Sequence, residues 1–179
     1  NPWPGCMIGI VNGKKVYKQY WDKKKNFKLF DYASYDKNGN IIIHGRLDDV
    51  INVRGHRIGS EEIESVLLKE KNIYEISAVG IDDKLGGTKI VLFVVSKKNL
   101  DLKAIIKNII IKQFGSFAIP HDIIYLSEIP KTRSGKILRR TLRDLYINPN
   151  TKLLGDLSTM LNKNLLNKIK NSIIKNKSY

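Results

Sequence analysis

Gly45-Arg46-Leu47-Asp48-Asp49-Val50-Ile51-Asn52-Val53-Arg54-Gly55-His56-Arg57-Ile58-Gly59-Ser60-Glu61-Glu62-Ile63-Glu64 decides how this chain is organised. Its first five residues are polar and short-range, the texture that ends one folding unit and begins another. Val50 to Val53 turns apolar again and reads as a strand. Ser60 can cap a helix, and Glu61, Glu62 and Glu64 would sit in its first turn, favoured by the positive end of the helix dipole. Ile63, Val66 and Leu67 give that helix an apolar stripe.

Further along, Ile73 to Ile81 and Lys89 to Val95 read as strands. The second is almost continuously apolar, as expected of a strand buried on both faces. Leu102, Ile105, Ile106, Ile109 and Ile110 recur at helical spacing, and Gly115 closes that helix. Asp122 to Leu126 is a further short strand. A loop follows, with Ser134 as a candidate cap for a helix carrying Leu138, Leu142 and Leu145. The order from Val50 is therefore β-α-β-β-α-β-loop-α, an α+β domain of about 100 residues with its own core. After Tyr146, Pro149 and the asparagine-rich stretch mark a looser tail.

Towards the amino terminus, residues 7–20 carry short apolar runs around Asn12-Gly13 and read as a strand pair with a tight turn. Phe27 to Tyr35 and Asn40 to His44 flank Asp36-Lys37-Asn38-Gly39, a second hairpin in which Asn-Gly supplies the positive φ of a two-residue turn. These residues, before the break at Arg46, belong to a different unit. The expected organisation is thus residues 1–46 as the end of a larger domain, 47–147 as a small domain, and 148–179 as a basic tail.

With 179 residues, 42% hydrophobic and 27% charged, the chain can bury a core. It opens on Asn1 with no charged-then-apolar leader. The expectation is a fragment of something longer, with no signal peptide in view. No apolar run is long enough to span a bilayer, since Ala104 to Ile111 is broken by Lys107. Cys6 is alone, so no internal disulfide forms and nothing points to an oxidising compartment; cytoplasm, with the nucleus as a second location, is the expectation. His44, His56 and His121 lack ligand spacing with one another or with Cys6, and no resident metal site is expected. His56 and His121 read as packing residues. The net charge of +15 invites a nucleic-acid partner, but much of it lies in Lys23-Lys24-Lys25 and in the tail, with no aromatic interleaving; nucleic acid is not the expected partner.

The remaining motif is Pro130-Lys131-Thr132-Arg133-Ser134-Gly135-Lys136, which runs into Ile137-Leu138-Arg139-Arg140. A lysine is a compact charge on a flexible stem, suited to gathering negative charge before a bond forms. Taken alone, Ser134-Gly135-Lys136 reads equally as a solvated basic loop.

Residues 45–64 together with residues 130–140 resemble the adenylate-forming superfamily, which includes acyl-CoA synthetases, peptide-synthetase adenylation domains and luciferases. Asp48-Asp49-Val50-Ile51-Asn52-Val53 and Gly55-His56-Arg57 are similar to acetyl-CoA synthetases in particular, as are Trp3-Pro4-Gly5 and the tail Gly155-Asp156-Leu157-Ser158-Thr159-Met160-Leu161. The resemblance implies a mobile lid domain preceded by the last strands of a large domain. It also implies a two-step reaction: a carboxylate attacks the α-phosphate of ATP to give an acyl-adenylate and pyrophosphate, and coenzyme A thiol then displaces AMP. The lid rotates between the steps. The substrates implied are acetate, ATP and coenzyme A, with Mg2+ bound mainly by the large domain.

By the same resemblance Lys136 matches the adenylation lysine, which would bridge carboxylate and α-phosphate. Its acetylation by a lysine acetyltransferase, reversed by a deacetylase, would remove that charge. Arg46 and Asp31 match the pair on the ribose hydroxyls, Asp48 the hinge residue, and Gly55 the glycine at the pantetheine tunnel. Arg57 matches the arginine that approaches the adenylate phosphate in the second step. Three places depart from the pattern. Leu29-Phe30-Asp31 stands where the family has Thr-Gly-Asp, removing a glycine turn. Arg54 replaces a small residue and either meets coenzyme A phosphates or is merely solvated. Ile111 stands where the family can carry a basic residue, with Lys112 beside it. Propionyl-CoA synthetase, a peptide-synthetase adenylation domain and a non-catalytic basic interaction domain remain as alternatives.

Overall fold

The structure is a computed structural model and describes residues 5–83, 87–97, 100–151 and 157–177, the side chain of Asp48 excepted. Trp3, Pro4, Gly155 and Asp156, used in the resemblance above, lie outside the described residues.

The fold is built on a three-stranded sheet. Strand β5 (Ile73–Asp83) pairs antiparallel with β6 (Gly87–Ser96), and β6 pairs parallel with β7 (Asp122–Tyr125). Within β6, Ile90, Leu92 and Val94 point into one apolar layer and Val91 and Phe93 into the other, all at 2% exposure or less. Helices cover both faces, which is why this run carries no polar alternation. Helices α2 (Ser60–Leu67) and α3 (Lys103–Phe114) cover one face through Ile63, Leu67, Ile106 and Ile110. Helices α4 (Arg139–Ile147) and α5 (Leu165–Lys177) cover the other through Leu142, Leu145, Ile169 and Ile173. Gly115, at φ 99, ends α3 as expected.

The expected order lacked one strand. Val50–Val53 (β3) does not run on into α2; it turns back at Arg54-Gly55 and pairs with His56–Gly59 (β4). Ser60 is the first helical residue, not the cap. Its hydroxyl donates to the Asp49 carbonyl at 2.7 Å, and Glu62 Oε2 accepts the Gly59 N–H at 3.2 Å. Ser134 likewise caps nothing: Leu138 precedes α4, while the Ser134 hydroxyl bonds Thr132 Oγ1 at 3.0 Å. The stretch read as a looser tail contains α5, whose Leu165, Ile169 and Ile173 are buried; three apolar positions at helical spacing outweigh its asparagine and lysine content.

Before Arg46, one expectation holds and one does not. Strands β1 (Asp31–Tyr35) and β2 (Ile41–Arg46) form the hairpin. Its loop spans Asp36 to Asn40, with only Gly39 at positive φ (82°) and the Asp36 carboxylate accepting the N–H groups of Asn38 and Asn40, both at 2.8 Å. Residues 7–20 form no strand pair. Ile8 and Val11 are 99% and 93% exposed, so an isolated ladder there would bury nothing. The chain instead bends at Asn12 (φ 55°) into a short helix, α1 (Lys14–Gln19).

Candidate functional site

Lys136 sits on a loop with a defined backbone. Lys131 and Ile137 pair across its base, and Leu138 N–H donates to Pro130 O at 2.9 Å. Thr132 N–H donates to Lys136 O at 2.8 Å, and Lys136 N–H returns to Thr132 Oγ1 at 3.1 Å. Gly135, at φ 83°, closes the turn between them and needs the freedom of glycine. The base of the loop is held to the sheet by Glu75 near the start of β5. One carboxylate oxygen of Glu75 accepts the Ile129 N–H at 3.3 Å and the other pairs with Lys131 Nζ at 2.7 Å. The Lys136 side chain is exposed.

Asp31 and Arg46 are brought together as β-partners at the open end of the β1–β2 hairpin, Nη1 to Oδ1 at 3.4 Å. Arg46 also donates to Leu29 O at 2.7 Å. The missing glycine does not remove the turn before Asp31. Phe30 itself adopts φ 61°, and its carbonyl accepts the Leu47 N–H at 2.7 Å. A left-handed phenylalanine costs on the order of 1–2 kcal/mol; an edge-on contact of its ring with Tyr20, centroids 5.3 Å apart, helps hold it there.

Gly55, Arg54 and Arg57 share the β3–β4 hairpin. Arg54 (φ 50°) and Gly55 (φ 88°) form its two-residue turn, and a Cβ added at Gly55 would meet nothing within 4 Å. Arg57 is exposed on β4 opposite Asn52. A cleft of about 390 Å³ opens beside the turn, lined by Val53, Arg54, Asp83, Gly87, Phe117 and His121. His56 stacks on Phe117 with centroids 4.1 Å apart, in keeping with a packing role. Ile111 is 39% exposed on α3, and Lys112 lies in its last turn.

These groups do not converge. The Arg54-Gly55 turn packs on Gly87, the partner of Asp83 at the far end of β5, where a Gly87 Cβ would lie 3.5 Å from Arg54 N. The Lys136 loop is anchored at Glu75, so about 26 Å of strand separates the two anchor points. Asp48 lies in the single 3-10 turn (Leu47–Asp49) between the β1–β2 hairpin and β3.

Sequence reasoning missed two connections that surround this turn. Arg139, on the first turn of α4, forks onto the buried Glu64 of α2 and reaches Asp49 Oδ2 at 3.5 Å. Burial pushes the Glu64 carboxyl up from its ordinary range, against the pull of Arg139 and of the Ala78 N–H it accepts at 2.9 Å. The second is His44 of β2, which bonds Glu62 of α2 through Nδ1 at 2.9 Å and Ser34 through Nε2 at 2.7 Å. The second joins residues on either side of the short turn, and the first ties the turn's own Asp49 to α4. Neither had a local signal, because the partners are far apart in sequence. Among the described residues no group of three or more His, Cys, Asp or Glu could hold a metal ion. The residues described therefore do not fit a magnesium site.

Residues 62–136 match the AMP-binding enzyme C-terminal domain. Within those residues the chain carries that domain. The chain is similar, at 38% identity over 174 residues, to the acetyl-coenzyme A synthetase of Rhodopirellula baltica, a match covering 94% of this chain and 26% of the relative. It is 38% identical over 165 residues to the acetyl-coenzyme A synthetase of Pyrobaculum arsenaticum, covering 89% and 24%. The chain thus spans about a quarter of the length of these curated relatives. Among solved structures, acetoacetyl-CoA synthetase from Streptomyces lividans superposes with a TM-score of 0.74 at 21% identity, over 90% of this chain and 25% of that one. MatB from Rhodopseudomonas palustris superposes at 0.66 and 22%, over 76% and 27%. At those identities the likeness is one of fold. The α+β architecture read from the sequence is that of the AMP-binding enzyme C-terminal domain. Among the described residues, no helix is long and apolar enough to cross a membrane.

Proposed function

We propose that this chain is the carboxy-terminal part of an AMP-forming acetate–CoA ligase, with residues 1–46 closing a large domain, Asp48 as the hinge and residues 47–147 as the lid. The observation that carries the reading is the placement of two loops at opposite ends of one sheet. Their anchor points, Glu75 and Gly87, lie too far apart for both loops to act at one point in a single pose. A body that turns about Asp48 delivers them in sequence.

In the first pose Lys136 carries the positive charge. Its exposed ammonium on a rigid backbone meets the acetate carboxylate and the ATP α-phosphate, where two anions must approach. Asp31 accepts from the ribose hydroxyls, and Arg46, which already orients Asp31, adds donors beside it. In the second pose the open space above Gly55 admits the pantetheine thiol, Arg57 approaches the adenylate phosphate and Arg54 faces the coenzyme A phosphates. The same exposure leaves Lys136 open to an acetyltransferase and a deacetylase. With a quarter of the relatives' length present, the isolated 179 residues turn nothing over. Cytoplasm or nucleus is the proposed location.

The test uses the full-length protein carrying this sequence and its two half-reactions. Lys136→Ala should lower acetate-dependent pyrophosphate exchange by about 10²–10³-fold, the scale for removing one transition-state charge partner. The same variant should still convert supplied acetyl-adenylate and coenzyme A to thioester. Gly55→Ala should do the reverse. Loss of both half-reactions in both variants would overturn the two-pose reading. A wild-type enzyme inert with acetate but active with propionate would overturn the substrate. The net charge of +15 favours one competing reading, a non-catalytic basic module. It would be supported by an RNA gel shift that salt competes and ATP does not.

A further inference from the structure

Beyond α4 the chain comes back to the Lys136 loop. Thr159 to Leu161 lies antiparallel along its first arm: Thr132 pairs with Met160, Arg133 N–H donates to Thr159 O at 2.9 Å, and Leu161 N–H donates to Lys131 O at 3.0 Å. The loop is therefore the middle of a three-strand patch, with residues 159–161 on one side and Lys136-Ile137 on the other. Thr132 joins the two sides. Its backbone neighbours are held by residues 159–161, while its own N–H and hydroxyl hold both the carbonyl and the N–H of Lys136.

The patch is itself anchored. Met160 is 3% exposed and belongs to the apolar layer formed with Ile129, Leu142, Leu165 and Ile169. Helix α5 continues from it into the same layer. A tip loop standing alone would sample many backbone states. This one is tied to the core through a segment more than twenty residues further along the chain.

We infer that Thr159-Met160-Leu161 is a positioning strand for Lys136. It acts by fixing the backbone of Thr132, touches no substrate, and serves only the step in which Lys136 takes part. This rests on the adenylation role proposed above for Lys136. A displacement of about 1 Å at a reacting group can cost on the order of 10²-fold in rate, so a partly released loop should be felt in that step.

Leu161 gives a clean test, because its side chain is 66% exposed and its contribution to the patch is the amide. Leu161→Pro deletes that donor, and Leu161→Ala keeps it and serves as the reference. In the full-length protein, Leu161→Pro should lower kcat for acetate-dependent pyrophosphate exchange by about 10-fold or more relative to Leu161→Ala. KM for ATP and thioester formation from supplied acetyl-adenylate should stay within about two-fold. Amide hydrogen exchange at Gly135 and Lys136 should rise in Leu161→Pro alone, a readout independent of activity. Unchanged exchange at these amides, or equal losses in both half-reactions, would overturn the positioning role. Raised exchange with no acetate activity in any variant, wild type included, would keep the bracing and discard the ligase reading instead.

Discussion

The Arg139 guanidinium forks onto the Glu64 carboxylate, Nη2 to Oε2 at 2.7 Å and Nε to Oε1 at 3.1 Å. The pair ties the helix that follows the Lys136 loop to the first helix after the Asp48 turn. Side-chain exposures of 15% and 9% put both charges largely out of water, so neither can lose its partner cheaply. Arg139→Ala should destabilise the fold by about 3 kcal/mol, because it leaves Glu64 buried and uncompensated. Urea unfolding measures this. Replacing both residues by apolar ones of similar volume should recover much of the loss, and a double variant no better than Arg139→Ala would contradict the buried-charge explanation.

The turn at Arg54-Gly55 offers a gain. Arg54 holds φ 50° with an exposed side chain, whereas Asn-Gly is the dipeptide such a turn favours. Arg54→Asn should raise stability by about 0.5–1 kcal/mol, seen as a higher Tm. If Arg54 faces coenzyme A phosphates, the same variant raises KM for coenzyme A while leaving pyrophosphate exchange alone. A higher Tm with unaltered KM would assign Arg54 to solvent.

The Asp36 loop should respond to acid. Asn40, through its side-chain amide and its N–H, together with the Asn38 N–H, holds the Asp36 carboxyl below its ordinary value of 3.8. A carboxyl depressed in the folded state contributes stability that is present above the unfolded pKa and is lost as pH falls through the folded one. The β1–β2 hairpin should therefore loosen as pH drops below about 4. In Asp36→Asn that part of the acid dependence should vanish. Hydrogen exchange at Asn38 and Asn40 across pH 3–6 reads it, and a pH-independent difference between the two proteins would contradict the assignment.

Gly59 is needed for space and not for φ. A Cβ there would lie 2.5 Å from the His44 carbonyl, across the contact between the hairpin before the Leu47–Asp49 turn and the strand after it. Gly59→Ala should cost about 1–3 kcal/mol by forcing the two apart. It should also weaken the His44–Glu62 bond, which the NMR chemical shifts of the His44 ring would register. Unaltered His44 ring shifts would show that the hairpin accommodates the methyl by another route.

Much of the domain was legible in the chain because it depends on local pattern. The unbroken apolar run at Ile90 to Val95 could be satisfied only between two layers, and the helical spacing of Ile106 and Ile110 admitted one face. Strand β4 escaped notice because its turn uses a left-handed arginine, a residue that gives no turn signal. Helix α5 escaped because lysine and asparagine dominate its composition while three buried residues decide its fate. Phe30 shows the reverse: the glycine is absent but the turn is not, because Tyr20 and the Leu47 N–H hold the phenylalanine in the glycine conformation.

By itself the sequence determined the element types of α2 to α4 and of β5 to β7, the two-layered burial of the sheet and the residue types offered for chemistry. These follow from periodicity and from side-chain chemistry, which are properties of neighbours along the chain. Only the tertiary structure decided that Glu64 meets Arg139, that His44 meets Glu62, that residues 159–161 lie against the Lys136 loop, and that this loop and the Arg54-Gly55 turn occupy opposite ends of the sheet. Such pairings are set by how whole layers pack, and no spacing within a short window carries that information.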